Sequence, residues 1–204
     1  RQKFSNDLRE IVVIDDYDVS KEVRTDIYKS GQFVVLIDDE AKIFDDYVSL
    51  VINQNLGAIP AMYPVTSLCG PAYSMIRDAV KIAPFGDSGG IVNMIGLKRR
   101  LNDKDSAKLL AQAQIVISGS GVTAYEALYL GKPLLLEVLA DNQMLTYTNL
   151  IAGNYAYQNM PKSLQELLEM NSVEFRVWAN KGRLLVDGHG ADRIVNYLVE
   201  NFVW

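Results

Sequence analysis

The residues best placed to do chemistry lie in one stretch, Ser118-Gly119-Ser120-Gly121 followed by Asn142-Gln143. The four-residue segment sits between an apolar run, Ile115-Val116-Ile117, and a segment with helical spacing, Thr123 to Leu130. A helix entered through a glycine turn leaves its first N–H groups without intrahelical partners, and its dipole favours an anion there. Glycines allow a phosphate to approach the backbone. Ser118, Ser120 and Thr123 add hydroxyls, and Glu126 follows within the first two turns. A carboxylate there can accept hydrogen bonds from two vicinal hydroxyls, as a ribose offers. Asn142-Gln143 comes after the next apolar run, Leu134 to Leu139, and so faces the same crevice. The same residues would equally make a tight strand–helix turn with a glutamate that complements the dipole.

Four other groups invite a chemical reading. Asp15-Asp16 and Asp38-Asp39 stand at the ends of apolar runs, where they could hold Mg²⁺, exchange protons, or cap turns and helices. Tyr17 follows the first run and is a candidate for the crevice. Gly86-Asp87-Ser88-Gly89-Gly90 spells a serine-protease nucleophile motif, but that chemistry needs a histidine base on a β-barrel frame. The sole histidine, His189, stands in a helix-entry loop of an α/β chain, so a glycine-rich loop after a strand and near phosphate is the better reading. Cys69, the lone cysteine, excludes an internal disulfide, fits a reducing compartment, and reads as packing beside a Gly-Pro turn.

The elements that must position these residues are parallel strands and their crossover helices. Ile11–Ile14, Phe33–Ile37 and Val48–Ile52 are β-branched apolar runs suited to strands buried on both faces. Each ends in polar residues, where open α/β sheets place ligands. Ser20 predicts an N-cap with Val23 and Ile27 on the buried face of its helix, and Gly31 predicts the stop. Residues 56–82 show little periodicity, and Leu68 to Tyr73 reads as a turn. Helices are expected over Ser106–Ala113, Thr123–Leu130, Pro161–Met170 and Ala191–Phe202, the last with Ile194, Val195, Leu198, Val199 and Phe202 on its apolar face.

The chain has 204 residues, a formal net charge of -5 and 49% hydrophobic residues, so a sizeable core is within reach. Without a basic stripe, no nucleic-acid partner is expected. No apolar stretch reaches the length of a bilayer, so no membrane span is expected either.

The stretch SGSGVTAYEALYLGKPLLLEVLADNQ resembles the nucleotide-binding half of GT-B-type enzymes, a pattern shared by glycosyltransferases and some sugar-nucleotide hydrolases. VVIDDYDVS, VVLIDDEAKIFDDYVSLVINQN, LCGPAYSMIR and DGHGADRIV are similar to the UDP-sugar hydrolases of pseudaminic acid biosynthesis and to related spore-coat polysaccharide proteins. The resemblance implies an α/β, GT-B-like fold of two Rossmann-like domains facing a cleft, with residues 1–82 a partial first domain and 83–204 the nucleotide-binding one. It implies that Gly119, Ser120, Gly121 and Thr123 hold the diphosphate, that Glu126 reads the ribose, and that Asn142 and Gln143 meet sugar and phosphate. Tyr17 and Asn142 become catalytic candidates, and Asn53 and Asn55 line the cleft. The implied reaction is cytoplasmic hydrolysis of a UDP-sugar at the anomeric carbon, with neither metal nor cofactor. The alternatives are a GT-B glycosyltransferase and a non-catalytic nucleotide-sugar-binding protein. The family's Gly-x-Gly-His loop, whose His is the expected general base, has no match here and is expected in a segment before Arg1. His189 matches a different position. The stretch from Arg77 to Ser106 is also shorter than the family pattern, which places a strand, a glycine loop, a helix and another strand there.

Overall fold

The computed structural model describes residues 10–16, 18–40, 46–86, 88–97 and 100–202. Two four-stranded parallel sheets carry the chain, as expected for an α/β protein. It divides into two compact units, Arg1–Tyr73 with Ala191–Trp204, and Ser74–Gly190. The sequence had suggested a division after residue 82, with the last helix in the second part.

In the first unit the strands lie in the order β1 (Ile11–Ile14), β2 (Phe33–Ile37), β3 (Leu50–Asn53), β4 (Ser67–Cys69). β2 and β3 are the buried centre, as continuous apolar runs dictate. β1 departs from the expectation of burial on both faces: it is an edge strand and Val13 is 56% exposed. Helix α1 (Lys21–Lys29) crosses from β1 to β2. Ser20 caps it by accepting from the Val23 amide, and Gly31 at φ 87° ends it. The buried residue of α1 is Arg24, whose Nη1 donates to the Val19 carbonyl, while Val23 turns outward. An arginine can lay its stem on apolar surface while its head finds a carbonyl, which periodicity alone does not signal.

In the second unit the order is β5 (Ile91–Asn93), β6 (Ile115–Gly119), β7 (Leu134–Glu137), β8 (Tyr157–Gln158). Helices α2 (Asp78–Lys81), α3 (Asp103–Gln112), α4 (Val122–Tyr129), α5 (Met144–Ala152), α6 (Pro161–Leu168) and α7 (Ser172–Leu185) belong to the same unit. Leu134 and Leu135 of β7 are fully buried. α7 passes close over α4 at Gly182, where a Cβ would lie 2.9 Å from the Leu128 carbonyl oxygen. The last helix, α8 (Gly190–Phe202), buries Ile194 and stacks Phe202 on Phe33, but Val195 and Val199 are half exposed, so its apolar face is narrower than the sequence suggests. Among the described residues, no helix is long and apolar enough to cross a membrane.

Candidate functional site

In the second unit the loops after β5, β6 and β7 leave the same end of a parallel sheet, because the three strands run side by side in one direction. They enclose a cavity of about 520 Å³, within the usual range for small-molecule sites. Its lining includes Ser118, Gly119, Gly121, Thr123 and Gln143, five of the residues singled out from sequence. Met94, Ile95 and Gly96 from the loop after β5 also line it, and the sequence reading missed them. Their turn is held by the Asn93 side chain, whose Oδ1 accepts from the Ile95 amide at 2.9 Å, and by Gly96 at φ 73°. That Asn-x-x-Gly pattern was the available signal.

The floor of the cavity is the start of α4. Gly121 is its N-cap and brings no side chain to the helix end. Thr123 lies in the first turn. The first-turn N–H groups, with the dipole behind them, make this end electropositive without any ionised residue.

Gln143 ties the two neighbouring loops together. Its Oε1 accepts from the amides of Ser120 (3.2 Å) and Leu139 (3.4 Å), while the Ser120 hydroxyl donates to the Gln143 carbonyl at 3.1 Å. With its oxygen fixed by two N–H donors, the amide turns its –NH₂ the other way. Nε2 lies 3.8 Å from where a Cβ on Gly121 would be. The result is a donor held beside the helix N-terminus. Gly119 serves this arrangement rather than a bare phosphate approach. A Cβ there would lie 2.7 Å from Leu139 Cδ1 and 2.9 Å from Gln143 Oε1, so those side chains occupy the space the glycine leaves. Asn142 is half buried in the 3-10 turn Asp141–Gln143, and Ser120 is buried beneath it. Neither lines the cavity.

Glu126 stands differently from the expectation of a ribose reader. It is fully buried, and both carboxylate oxygens are held by Arg77, Oε1 by Nε at 2.6 Å and Oε2 by Nη2 at 2.9 Å. Arg77 Nη1 goes on to Asp103 at 2.6 Å and to the Ser106 hydroxyl at 3.3 Å. The hydrogen bonds Arg77 donates to the Glu126 carboxylate raise the Arg77 pKa above its ordinary value. This cluster joins α4 to α3 and to the N-cap of α2. Nothing local marks Arg77 for the part, because it meets Glu126 across 49 residues of chain.

Asn53 and Asn55 likewise hold the fold of the first unit instead of facing solvent. Both are buried. Asn53 Nδ2 donates to the Tyr63 hydroxyl at 2.8 Å and its Oδ1 accepts from the Asn55 amide at 3.0 Å. Asn55 Nδ2 donates to the Asp39 carbonyl at 2.9 Å, and the Tyr63 hydroxyl donates to the Asp38 carbonyl at 3.2 Å. The ends of β2 and β3 are thereby laced together by polar groups that burial obliges to pair. Burial also pushes the Tyr63 phenol above its ordinary value of 10.0. Tyr63→Phe is expected to cost about 1–3 kcal/mol, since it leaves the buried Asn53 amide without its acceptor. The wild-type phenol stays protonated in the fold at a pH where the unfolded chain releases its proton. Stability therefore falls as pH rises through about 10, and the variant lacks that component. Urea titrations of both proteins at pH 8 and above 10 check this.

Asp16 and Asp38 act as turn caps, their Oδ1 atoms accepting from the amides of Asp18 and Glu40, both at 2.9 Å. Among the described residues no three His, Cys, Asp or Glu side chains gather as a metal site. Tyr17 lies outside the described residues. The Gly86–Gly90 loop precedes β5 instead of following a strand, and it packs on the end of α3: a Cβ on Gly89 would lie 2.8 Å from the Gln112 carbonyl oxygen. His189 is exposed ahead of α8, its amide donating to Asp187 Oδ1 at 3.0 Å. Compared with known proteins, the chain matches no family model and no curated protein.

Proposed function

We propose that the unit Ser74–Gly190 holds the diphosphate of a UDP-sugar, and that the chain hydrolyses that sugar nucleotide in the cytoplasmic synthesis of a nonulosonic acid or surface polysaccharide. The observation that carries this reading is the cavity at the start of α4, with the Gln143 amide beside Gly121. A diphosphate suits it because the site offers hydrogen-bond donors and a positive helix end. The GT-B-like assignment and the choice of uridine rest on the resemblance of Ser118–Gln143 and of the first-half segments.

In the proposed reaction water attacks the anomeric carbon and its oxygen bonds there. The bond from that carbon to the diphosphate oxygen breaks, and UDP leaves with the electron pair. The N–H groups of the first turn of α4 stabilise the charge that builds on the departing diphosphate. Among the described residues lining the cavity none carries a carboxylate, imidazole or amine. The cavity's part is therefore to bind and to stabilise, and the base that takes the proton of water lies elsewhere.

The test is incubation with a UDP-sugar and no acceptor. Release of UDP and free sugar is expected. Release only when an acceptor is added would make the protein a glycosyltransferase, and binding without turnover would make it a nucleotide-sugar-binding protein. A companion variant probes the cavity. Gly119→Ala pushes the Leu139 and Gln143 side chains aside. Both are flexible ends, so folding is little affected, but the Gln143 donor is misplaced. UDP affinity should fall by about tenfold, roughly 1.4 kcal/mol, with the melting temperature within a few degrees of wild type. Calorimetric titration and thermal melts measure the two effects.

A further inference from the structure

We infer that α7 is a dimerisation helix, on which α7 of a second copy of this chain packs antiparallel. The buried residues of α7 are Ala179 and Gly182. At about 100° per residue, the line opposite them is Val173, Val177, Asn180 and Leu184. A surface helix normally carries charged or polar side chains there. Here Val173 is 57% and Val177 64% exposed, and Leu184, at 87%, is the most exposed large apolar side chain among the described residues. Steps of four, three and four residues make the seam of a two-helix coil, and a lone asparagine in such a seam fixes register. The occupant is a second copy because the face complements itself. A cavity of about 530 Å³ beside the seam is lined in part by Met170, Val173, Val177 and Trp178. A twofold axis between Val177 and Asn180 sets Leu184 of each copy against Val173 of the other, at the mouth of that cavity. It also sets Glu174 of each copy near Lys181 of the other. Glu174 gives one oxygen to the Asn171 amide at 2.8 Å, and Lys181 donates to the Gly153 and Asn154 carbonyls, so each can still take the other. On the opposite flank Arg183 is drawn back to the Leu130 carbonyl at 3.0 Å, away from Arg176 of the other copy. Parallel pairing would instead set Arg176 beside Lys181, two like charges. The seam spans one helix of 14 residues, so the dimer is a weak one, with a micromolar dissociation constant.

Sedimentation velocity of the full chain over a concentration series tests this. The wild type is expected to pass from monomer to dimer as concentration rises. Val173→Asp and Leu184→Lys should each weaken association by about tenfold or more. Both sites are exposed, and a carboxylate in the first turn and an ammonium in the last suit the helix dipole, so thermal melts should match wild type within a few degrees. An equal mixture of the two variants should recover the dimer. In it the introduced carboxylate faces the introduced ammonium, and the remaining Leu184–Val173 contact is native. A wild type that stays monomeric through the millimolar range, a dimer that survives either substitution, or a mixture that stays monomeric overturns the inference.

Discussion

Replacing Arg77 with methionine destabilises the unit Ser74–Gly190 by about 3–5 kcal/mol, the range for breaking one side of a buried ion pair. The variant leaves the Glu126 carboxylate fully buried with neither of its two Arg77 donors. Methionine replaces the stem's apolar surface, so the loss reports on the charge and not on a cavity. Asp103 contributes little to the total, because its side chain is 77% exposed and an exposed pair is worth at most about 1 kcal/mol. The double variant Arg77→Met/Glu126→Leu removes both charges and recovers most of the loss, since apolar replacement of a buried pair is often neutral. Urea titrations of the wild type, both single variants and the double variant give the coupling energy. A single-variant effect below about 1 kcal/mol would contradict the strut assigned to Arg77 and Glu126.

The Gln143→Glu variant is expected to lose UDP affinity by at least about 30-fold, or roughly 2 kcal/mol. Glutamate keeps an oxygen where Oε1 accepts from the Ser120 and Leu139 amides, so the two loops stay joined. What changes is the other end. An oxygen carrying negative charge replaces the –NH₂ beside Gly121. The ligand loses a donor and meets a like charge, which at about 4 Å near a protein surface opposes binding by up to about 4 kcal/mol. High salt softens the second effect and not the first. Titrations at two ionic strengths separate them. The melting temperature should barely move, which distinguishes this variant from one that merely unfolds the loop.

The sequence made the frame of the site legible and misjudged several of the parts. β2, β6 and β7 are strands of four or five residues that open on apolar runs of three or more, a strong signal for buried parallel strands. The glycine turn into α4 and the return through Asn142-Gln143 were equally plain, because strand, turn and helix follow one another directly in the chain. β4, β5 and β8 escaped notice: strands of two or three residues at or near a sheet edge show no periodicity. Helix α7 was missed although Asn171 and Glu174 form a capping box at its start, a local signal that its sparse apolar face obscured. The roles of Asn53, Asn55 and Glu126 went astray for one reason. Position at a strand end or in an early helical turn says that a polar group is near a crevice, not whether another part of the chain already holds it. Tyr63 holds Asn53, and Arg77 holds Glu126. Both partners lie too far along the chain for any local pattern to reveal them.

The most direct test of the account is calorimetric titration of the full chain with UDP, run in parallel on wild type and Gln143→Glu. The account predicts one saturable site in the wild type and loss of that binding in the variant at unchanged fold. A wild type that takes up no UDP, or a variant that binds it equally well, would contradict the assignment of the α4 cavity.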